Sequence, residues 1–227
     1  MMTPDYGKTF ALWREGAAAP WRDYTHHPFV EGLKDGSLQR AAFLHYLVQD
    51  YVFLVHFSRA WSMAVIKSET LEEMRISAGT VNALVNHEMS LHVKTCAAQG
   101  IDEAALFAAP EAVENLAYTR YVMDAGLQGD FLDLMAALAP CVLGYGEIGR
   151  RLASSKAEDT PYAEWISTYA DPEYQQVCTN VGRMIDKAVE RRIGDLAHAP
   201  RADALQTRFT MATKLEVGFW QMGLDGA

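Results

Sequence analysis

Cysteine is scarce in the 227-residue chain. Cys96, Cys141 and Cys178 are odd in number and far apart, which excludes a disulfide framework and points to reduced thiols. Positive charge is short as well. Lys and Arg number 20 against 29 Asp and Glu, a net charge of −9, and nucleic acid or anionic lipid is disfavoured as a partner because phosphate binding needs a basic face. The longest stretch without charge, Leu134–Gly146, is too short to span a bilayer, and Met1–Lys8 carries no apolar signal core. A soluble, cytoplasmic protein with no membrane partner is expected. There is no repeat, no low-complexity tract, no linker, and no segment that alternates with a period of two for long enough to make a strand. Half of the residues are apolar, which excludes disorder. A chain of this size buries roughly 70–75 % of its unfolded surface, enough to enclose an interior site. One domain over residues 1–227 is expected.

The segments between breakers are long and helical in period. The spacing predicts a helix from Leu38 to Ser68 with Ser37 as N-cap, and a second from Glu69 to Gln99 closed by Gly100. A third opens at Pro110 and runs through Met123 to Gly126, and a fourth runs from Asp130 to Lys156. A short helix starts at Thr160-Pro161 and ends near Ala170, Asp171-Pro172 launches another to Arg192, and Pro200 introduces the last, to Met222. The fold class is all-α, a bundle of roughly seven or eight helices.

Three of these helices break their own pattern. Ala41–Phe57 is apolar nearly all round, yet Asp50 sits in its middle on a stripe with Tyr46, Phe53, Leu54 and Phe57. A buried carboxylate needs partners, so Asp50 is either a structural residue bonded to Tyr or His of a neighbouring helix, or a functional one. In the last helix Glu216 interrupts a stripe of Leu205, Phe209, Ala212, Phe219 and Trp220. It is either a proton donor with a desolvated carboxyl or a stripe-edge residue that reaches solvent. Cys141 lies inward with Leu134, Leu138, Tyr145 and Ile148, just after Pro140, which tends to kink the helix. It is either a small hydrophobe or a thiol at the mouth of a pocket, whereas Cys96 and Cys178 read as small hydrophobes. Tyr118, Tyr121, Tyr145, Tyr162, Trp165 and Tyr169 are core aromatics, or hydroxyls turned toward a flat heteroaromatic ligand. His87-Glu88-Met89-Ser90-Leu91-His92 is one residue too long for the HExxH zinc signature, which puts its imidazoles on different faces. Glu147 with Arg150 and Arg151, and the run Lys187–Arg192, read as exposed faces.

Taken in order, certain residues resemble the thiaminase II (TenA) family over nearly the whole chain. They are His27-Pro28-Phe29-Val30, Gly36-Ser37-Leu38, Phe43 with Tyr46-Leu47-Val48-Gln49-Asp50-Tyr51 and Phe57, Glu88 with Leu91-His92, and Tyr118-Thr119. Pro140-Cys141 with Tyr145 and Glu147-Ile148-Gly149, Trp165-Ile166 with Tyr169, and Glu216 with Phe219-Trp220 complete the set. The likeness is to the cysteine-bearing branch. It implies a haem-oxygenase-like all-α fold without haem, metal or other cofactor, and a homotetramer. The implied reaction is hydrolysis of 4-amino-5-aminomethyl-2-methylpyrimidine to the 5-hydroxymethyl compound and ammonia, with thiamine as a further substrate.

Carried across by motif, Cys141 resembles the nucleophile and Glu216 the proton donor. Asp50, Tyr145 and Tyr169 resemble substrate-binding residues, and Tyr118 a tyrosine lining the same pocket. Phe53 stands where well-known members have a tyrosine that helps to activate the cysteine, so no hydroxyl from that position can reach the Cys141 sulfur. Two other classes compete. One is a haem-oxygenase-like non-haem di-iron oxidase seeded by Glu88, His92 and Glu147, and the other a non-catalytic pyrimidine-binding or regulatory protein.

Overall fold

The computed structural model describes residues 4–226, apart from the side chains of His87 and Leu91. Met1–Thr3 of the opening segment, and the His87 imidazole of the near-zinc motif, therefore lie outside the described residues. Among those described the chain is all-α, as its periodicity predicts, with twelve α-helices, one π-helical turn and one 3₁₀ turn. The count exceeds the seven or eight expected because short helices at the N-terminus and after Ile101 carry too few residues to show a period, and because the expected second helix is split in two.

The described residues fall into two compact units. One holds the residues up to Leu38 together with Met135–Val217, and the other holds Gln39–Leu134 together with the residues from Gly218 on. The chain passes from one to the other three times, twice inside a continuous helix.

In the first unit, α1 (Lys8–Gly16), α2 (Ala18–Thr25) and α3 (Pro28–Asp35) precede the long helix α9 (Phe131–Ala153), α10 (Ala163–Ala170), α11 (Pro172–Ile193) and most of α12 (Ala202–Asp225). The first helix is capped from a distance: Asp186 of α11 accepts from the Lys8 and Thr9 amides at 2.9 and 2.8 Å. His27 caps α3 by accepting from the Phe29 amide, Pro28 supplies the fixed φ of the first turn, and Gly36 ends the helix at φ 81°. Phe10, Trp13, Trp21 and Phe209 form an aromatic core, with Trp21 stacked on Phe209 at 5.6 Å.

Helix α9 is unbroken through Pro140. It is also the one described helix long and apolar enough to cross a membrane, but 89 % of its most apolar window is buried, the mark of a core helix. Glu147 and Arg151 on it are not the exposed residues that their charge suggests. Glu147 accepts from Arg14 Nη1 at 3.0 Å and Trp21 Nε1 at 3.3 Å, and Arg151 bonds Glu31 and the Thr25 carbonyl at 2.7 and 2.6 Å. Tertiary partners drew these charges inward.

In the second unit, α4 (Arg40–Lys67) is the central helix, with fifteen buried residues between Ala42 and Ala64. Its N-cap is Gln39 with no side-chain bond, not Ser37, whose amide is taken by Asp35 at 2.9 Å. The expected second helix is three elements: α5 (Leu71–Ala83), a π-helical turn (Leu84–Glu88) and α6 (Met89–Ala97). Thr70 and Glu73 close a capping box at its start, and Gly100 at φ 80° follows its end. The short α7 (Glu103–Phe107) is capped by Asp102, and α8 (Val113–Gln128) completes the set. Gln49 of α4 ties down the entry to α8, donating to the Pro110 carbonyl and accepting from the Ala112 amide, each at 2.9 Å, while Asn115 donates to both the Gln49 carbonyl and its side-chain oxygen. That clamp sets α8 against α4.

Candidate active site

Helix α9 supplies the thiol. Every residue from Phe131 to Gly146 is buried except Cys141, which is partly open. None of the three cysteines forms a disulfide. Cys96 and Cys178 are sealed at 0 % exposure. Burial pushes the Cys178 thiol up to about 12 and raises that of Cys96 also, so neither is a nucleophile near neutral pH. Cys178 instead donates to the Val142 carbonyl at 3.4 Å, as a structural thiol does.

One turn beyond Cys141 lies Tyr145, and the fold brings Tyr169 to it. Gly149 makes this possible. A Cβ built there would stand 2.5 Å from the Tyr169 carbonyl carbon, so only glycine lets the end of α10 lie on α9. The Tyr145 and Tyr169 rings then meet edge to face at 4.9 Å, with Trp165 4.7 Å from Tyr169 and Tyr174 perpendicular to it at 5.0 Å. Gln175, which the sequence did not single out, fixes the arrangement. Its amide donates to the Tyr169 and Gly146 carbonyls at 2.8 and 3.0 Å and accepts from Tyr6 at 2.6 Å. Tyr162 does not join the set, since its hydroxyl donates to the Leu38 carbonyl. In the same unit Glu216, on α12 with Leu205, Phe209 and Ala212, is 2 % exposed. The expectation of a stripe-edge carboxylate in solvent is overturned.

In the second unit the Phe53 and Tyr118 rings lie with centroids 5.0 Å apart, within a cluster that adds Phe57 stacked at 5.1 Å and Phe219 at 5.4 Å. Position 53 offers a ring face and no hydroxyl. One turn earlier Asp50, 3 % exposed, accepts on Oδ2 from the Tyr46 hydroxyl at 3.0 Å, and His92 Nε2 lies 2.6 Å from the same oxygen. No hydrogen bond from the described residues reaches its Oδ1. The Tyr and His partners that a buried structural Asp needs are thus both present, and half of the carboxylate is still available.

The other ring nitrogen of His92, Nδ1, lies 2.9 Å from the Glu88 carbonyl. Burial alone would lower the His92 pKa, but its bond to Asp50, the charge of Asp50 and the Glu88 carbonyl outweigh that, and the net shift is upward. With both nitrogens engaged, His92 is committed to these partners. Among the described residues no group of three or more His, Cys, Asp and Glu is placed to hold a metal ion.

Comparison with known proteins agrees with this architecture. A solved structure described as a TenA family transcription regulator from Silicibacter sp. TM1040 is 60 % identical, with TM-score 0.94, covering 96 % of this chain and 97 % of that one. An aminopyrimidine aminohydrolase from Halalkalibacterium halodurans is 34 % identical over 213 residues, 93 % of each chain. A domain from Shewanella denitrificans OS217 described as having a haem oxygenase-like fold, at 11 % identity and TM-score 0.71, shares the fold alone. The profile of the TENA/THI-4/PQQC family matches residues 15–226, and the chain belongs to that family.

Proposed function

We propose that this protein is an aminopyrimidine aminohydrolase of thiamine salvage, converting 4-amino-5-aminomethyl-2-methylpyrimidine and water to the 5-hydroxymethyl pyrimidine and ammonia. One observation carries the reading: Cys141 is the single partly open residue in sixteen turned inward on α9, one turn from the Tyr145–Tyr169 pair. Relatives named for this activity, matched over 86–94 % of their length, support it.

The chemistry asks for a nucleophile, because an amine leaves a methylene badly unless it is protonated and the ring is activated. The Cys141 thiolate adds to a ring carbon, and the adjacent ring nitrogen takes up the electron pair. Electron push from the exocyclic amine breaks the bond from methylene to nitrogen. Glu216 gives its proton to the departing amine, which leaves as ammonia. Water then adds to the exposed methylene with Glu216 as base, and loss of the thiolate restores the aromatic ring. Asp50 holds the amino edge of the ring through Oδ1, a charge-assisted contact. Tyr118, Phe53, Tyr145 and Tyr169 supply ring faces and hydroxyls that orient it.

Thiamine, which carries a thiazolium in place of the amine, is the second substrate of this scheme. A homotetramer and a cytoplasmic location belong to the same reading. Association is supported by Ile66, Phe107, Val113 and Leu127, whose exposures of 83, 66, 75 and 72 % are high for apolar side chains. Light scattering would then give four times the 25.2 kDa of the chain. A regulatory role through DNA is opposed by the net charge of −9.

The deciding experiment is a coupled ammonia-release assay on the aminomethylpyrimidine beside thiamine, with wild type and Cys141→Ala. Wild type turns over the aminomethyl compound and the variant loses turnover while keeping its helical circular dichroism. Substantial activity in the variant would exclude the cysteine adduct, and no ammonia from wild type with any aminopyrimidine would exclude the activity itself.

A further inference from the structure

Asp50 and His92 are 42 residues apart in sequence, yet their side chains meet at 2.6 Å with 4 and 1 % of their surfaces exposed. The contact is directional at both ends. A backbone carbonyl can only accept, so Nδ1, facing the Glu88 carbonyl at 2.9 Å, carries a proton. Nε2 faces an oxygen that also accepts from the Tyr46 hydroxyl at 3.0 Å. The Tyr46 hydroxyl and Nε2 converge on Oδ2 and fix the plane of the carboxylate, while Oδ1 receives no hydrogen bond from the described residues.

Given the aminohydrolase reading, we propose that His92 is a positioning residue for substrate binding. Anchored on the Glu88 carbonyl, its imidazolium clamps Oδ2 and holds the carboxylate plane, with Oδ1 presented to the amino edge of the pyrimidine. The π-helical turn Leu84–Glu88 is part of this device, because it ends on the residue whose carbonyl anchors the ring. The charged groups that face His92 are Asp50 of α4 and Glu88 at the end of its own turn. Paired groups of this kind hold each other only while both are present, and loss of His92 leaves the Asp50 carboxyl buried and free to rotate.

The test uses the full chain. His92→Asn keeps an amide near the Glu88 carbonyl but is too short for Asp50, and His92→Gln places a neutral donor where Nε2 stands. The expected result is a KM for the aminomethylpyrimidine about 10–100-fold higher in His92→Asn, the range for a lost bond to a charged group, with kcat changed far less, and partial recovery in His92→Gln. A second measurement needs no variant. In the nitrogen-15 spectrum of wild type both ring nitrogens of His92 stay protonated to a higher pH than those of a free imidazole.

A His92 ring that loses its second proton at or below the pH at which a free imidazole does so overturns the proposal. So does a wild-type KM in His92→Asn with loss of thermal stability alone. If wild type releases no ammonia from any aminopyrimidine, the aminohydrolase reading fails, whereas the nitrogen spectrum still reports the state of the pair.

Discussion

Replacing Gly149 by alanine separates packing from propensity, because the two act with opposite signs. Gly149 is interior to α9, where alanine is favoured over glycine by about 1 kcal/mol, so propensity alone predicts a more stable protein. The structure predicts the reverse. The added methyl would lie 2.5, 2.6 and 2.7 Å from the carbonyl carbon, oxygen and Cβ of Tyr169, and the first two are backbone atoms that cannot swing aside. Relief requires that α10 retreat by about 1 Å, and such overpacking typically costs about 1–3 kcal/mol. Net destabilisation of up to about 2 kcal/mol lowers Tm by up to about 8 °C for a chain of this length.

The same retreat takes Tyr169 away from Tyr145, and kcat/KM on the aminomethylpyrimidine falls by up to about 100-fold, as misplacement on this scale can cause. Gly79→Ala is the control. It lies on the exposed face of α5 with nothing within 4 Å of its built Cβ, and it gains up to about 1 kcal/mol with unchanged kinetics. Differential scanning fluorimetry and steady-state kinetics on both variants decide the matter. If Gly149→Ala melts higher than wild type, as Gly79→Ala does, the close approach of α10 to α9 is wrong.

Three further outcomes are expected. In the native protein a small thiol reagent modifies Cys141 well before Cys96 or Cys178, with all three reacting after denaturation; early labelling of Cys178 would contradict its burial and its thiol pushed up to about 12. Glu216→Gln lowers kcat by about 10²–10⁴-fold with little change in KM, and the reverse split in the ammonia-release assay would make Glu216 a binding residue. The His92 pKa is raised in the folded state, so its contribution to stability is complete below the unfolded value of about 6.5 and is lost as pH rises through the folded value. His26 and His56, held low by burial and then by Arg151 and Arg120, act on the other side of pH 6.5, so the difference in Tm between wild type and His92→Gln isolates the effect. That difference should shrink as pH rises from about 6.5, and a pH-independent difference would refute it.

Much of the fold was legible because long helices repeat their period many times. Arg40–Lys67, Phe131–Ala153, Pro172–Ile193 and Ala202–Asp225 all lie within a few residues of the limits read from caps and breakers. The N-terminal helices were not legible, since each is nine residues or fewer and the first takes its cap from Asp186, which no local pattern announces. In the site, the carboxylates of Asp50 and Glu216 stood out because charge inside an apolar stripe is costly wherever it occurs. His92 was visible only as part of a near-miss zinc motif. Its true partner is supplied by another helix, and the π-helical turn that precedes it has no signature in a single sequence. Glu147 and Arg151 misled for the same reason: their ion partners, Arg14 and Glu31, sit far away in the chain.

That π-helical turn makes the stretch from Leu71 to Ala97 unequally tolerant of mutation. Point changes at outward positions such as Val85 or Asn86 leave the backbone path as it is. Losing one residue within Leu84–Glu88 would let the wide turn close into ordinary α-helix, because a π-helical turn holds one residue more than an α-helical one, and α6 would keep nearly its old face. Losing one residue from α5 would instead rotate all that follows by about 100°, and the imidazole would face away from α4. Natural length variation in this stretch should therefore gather in Leu84–Glu88 and avoid α5.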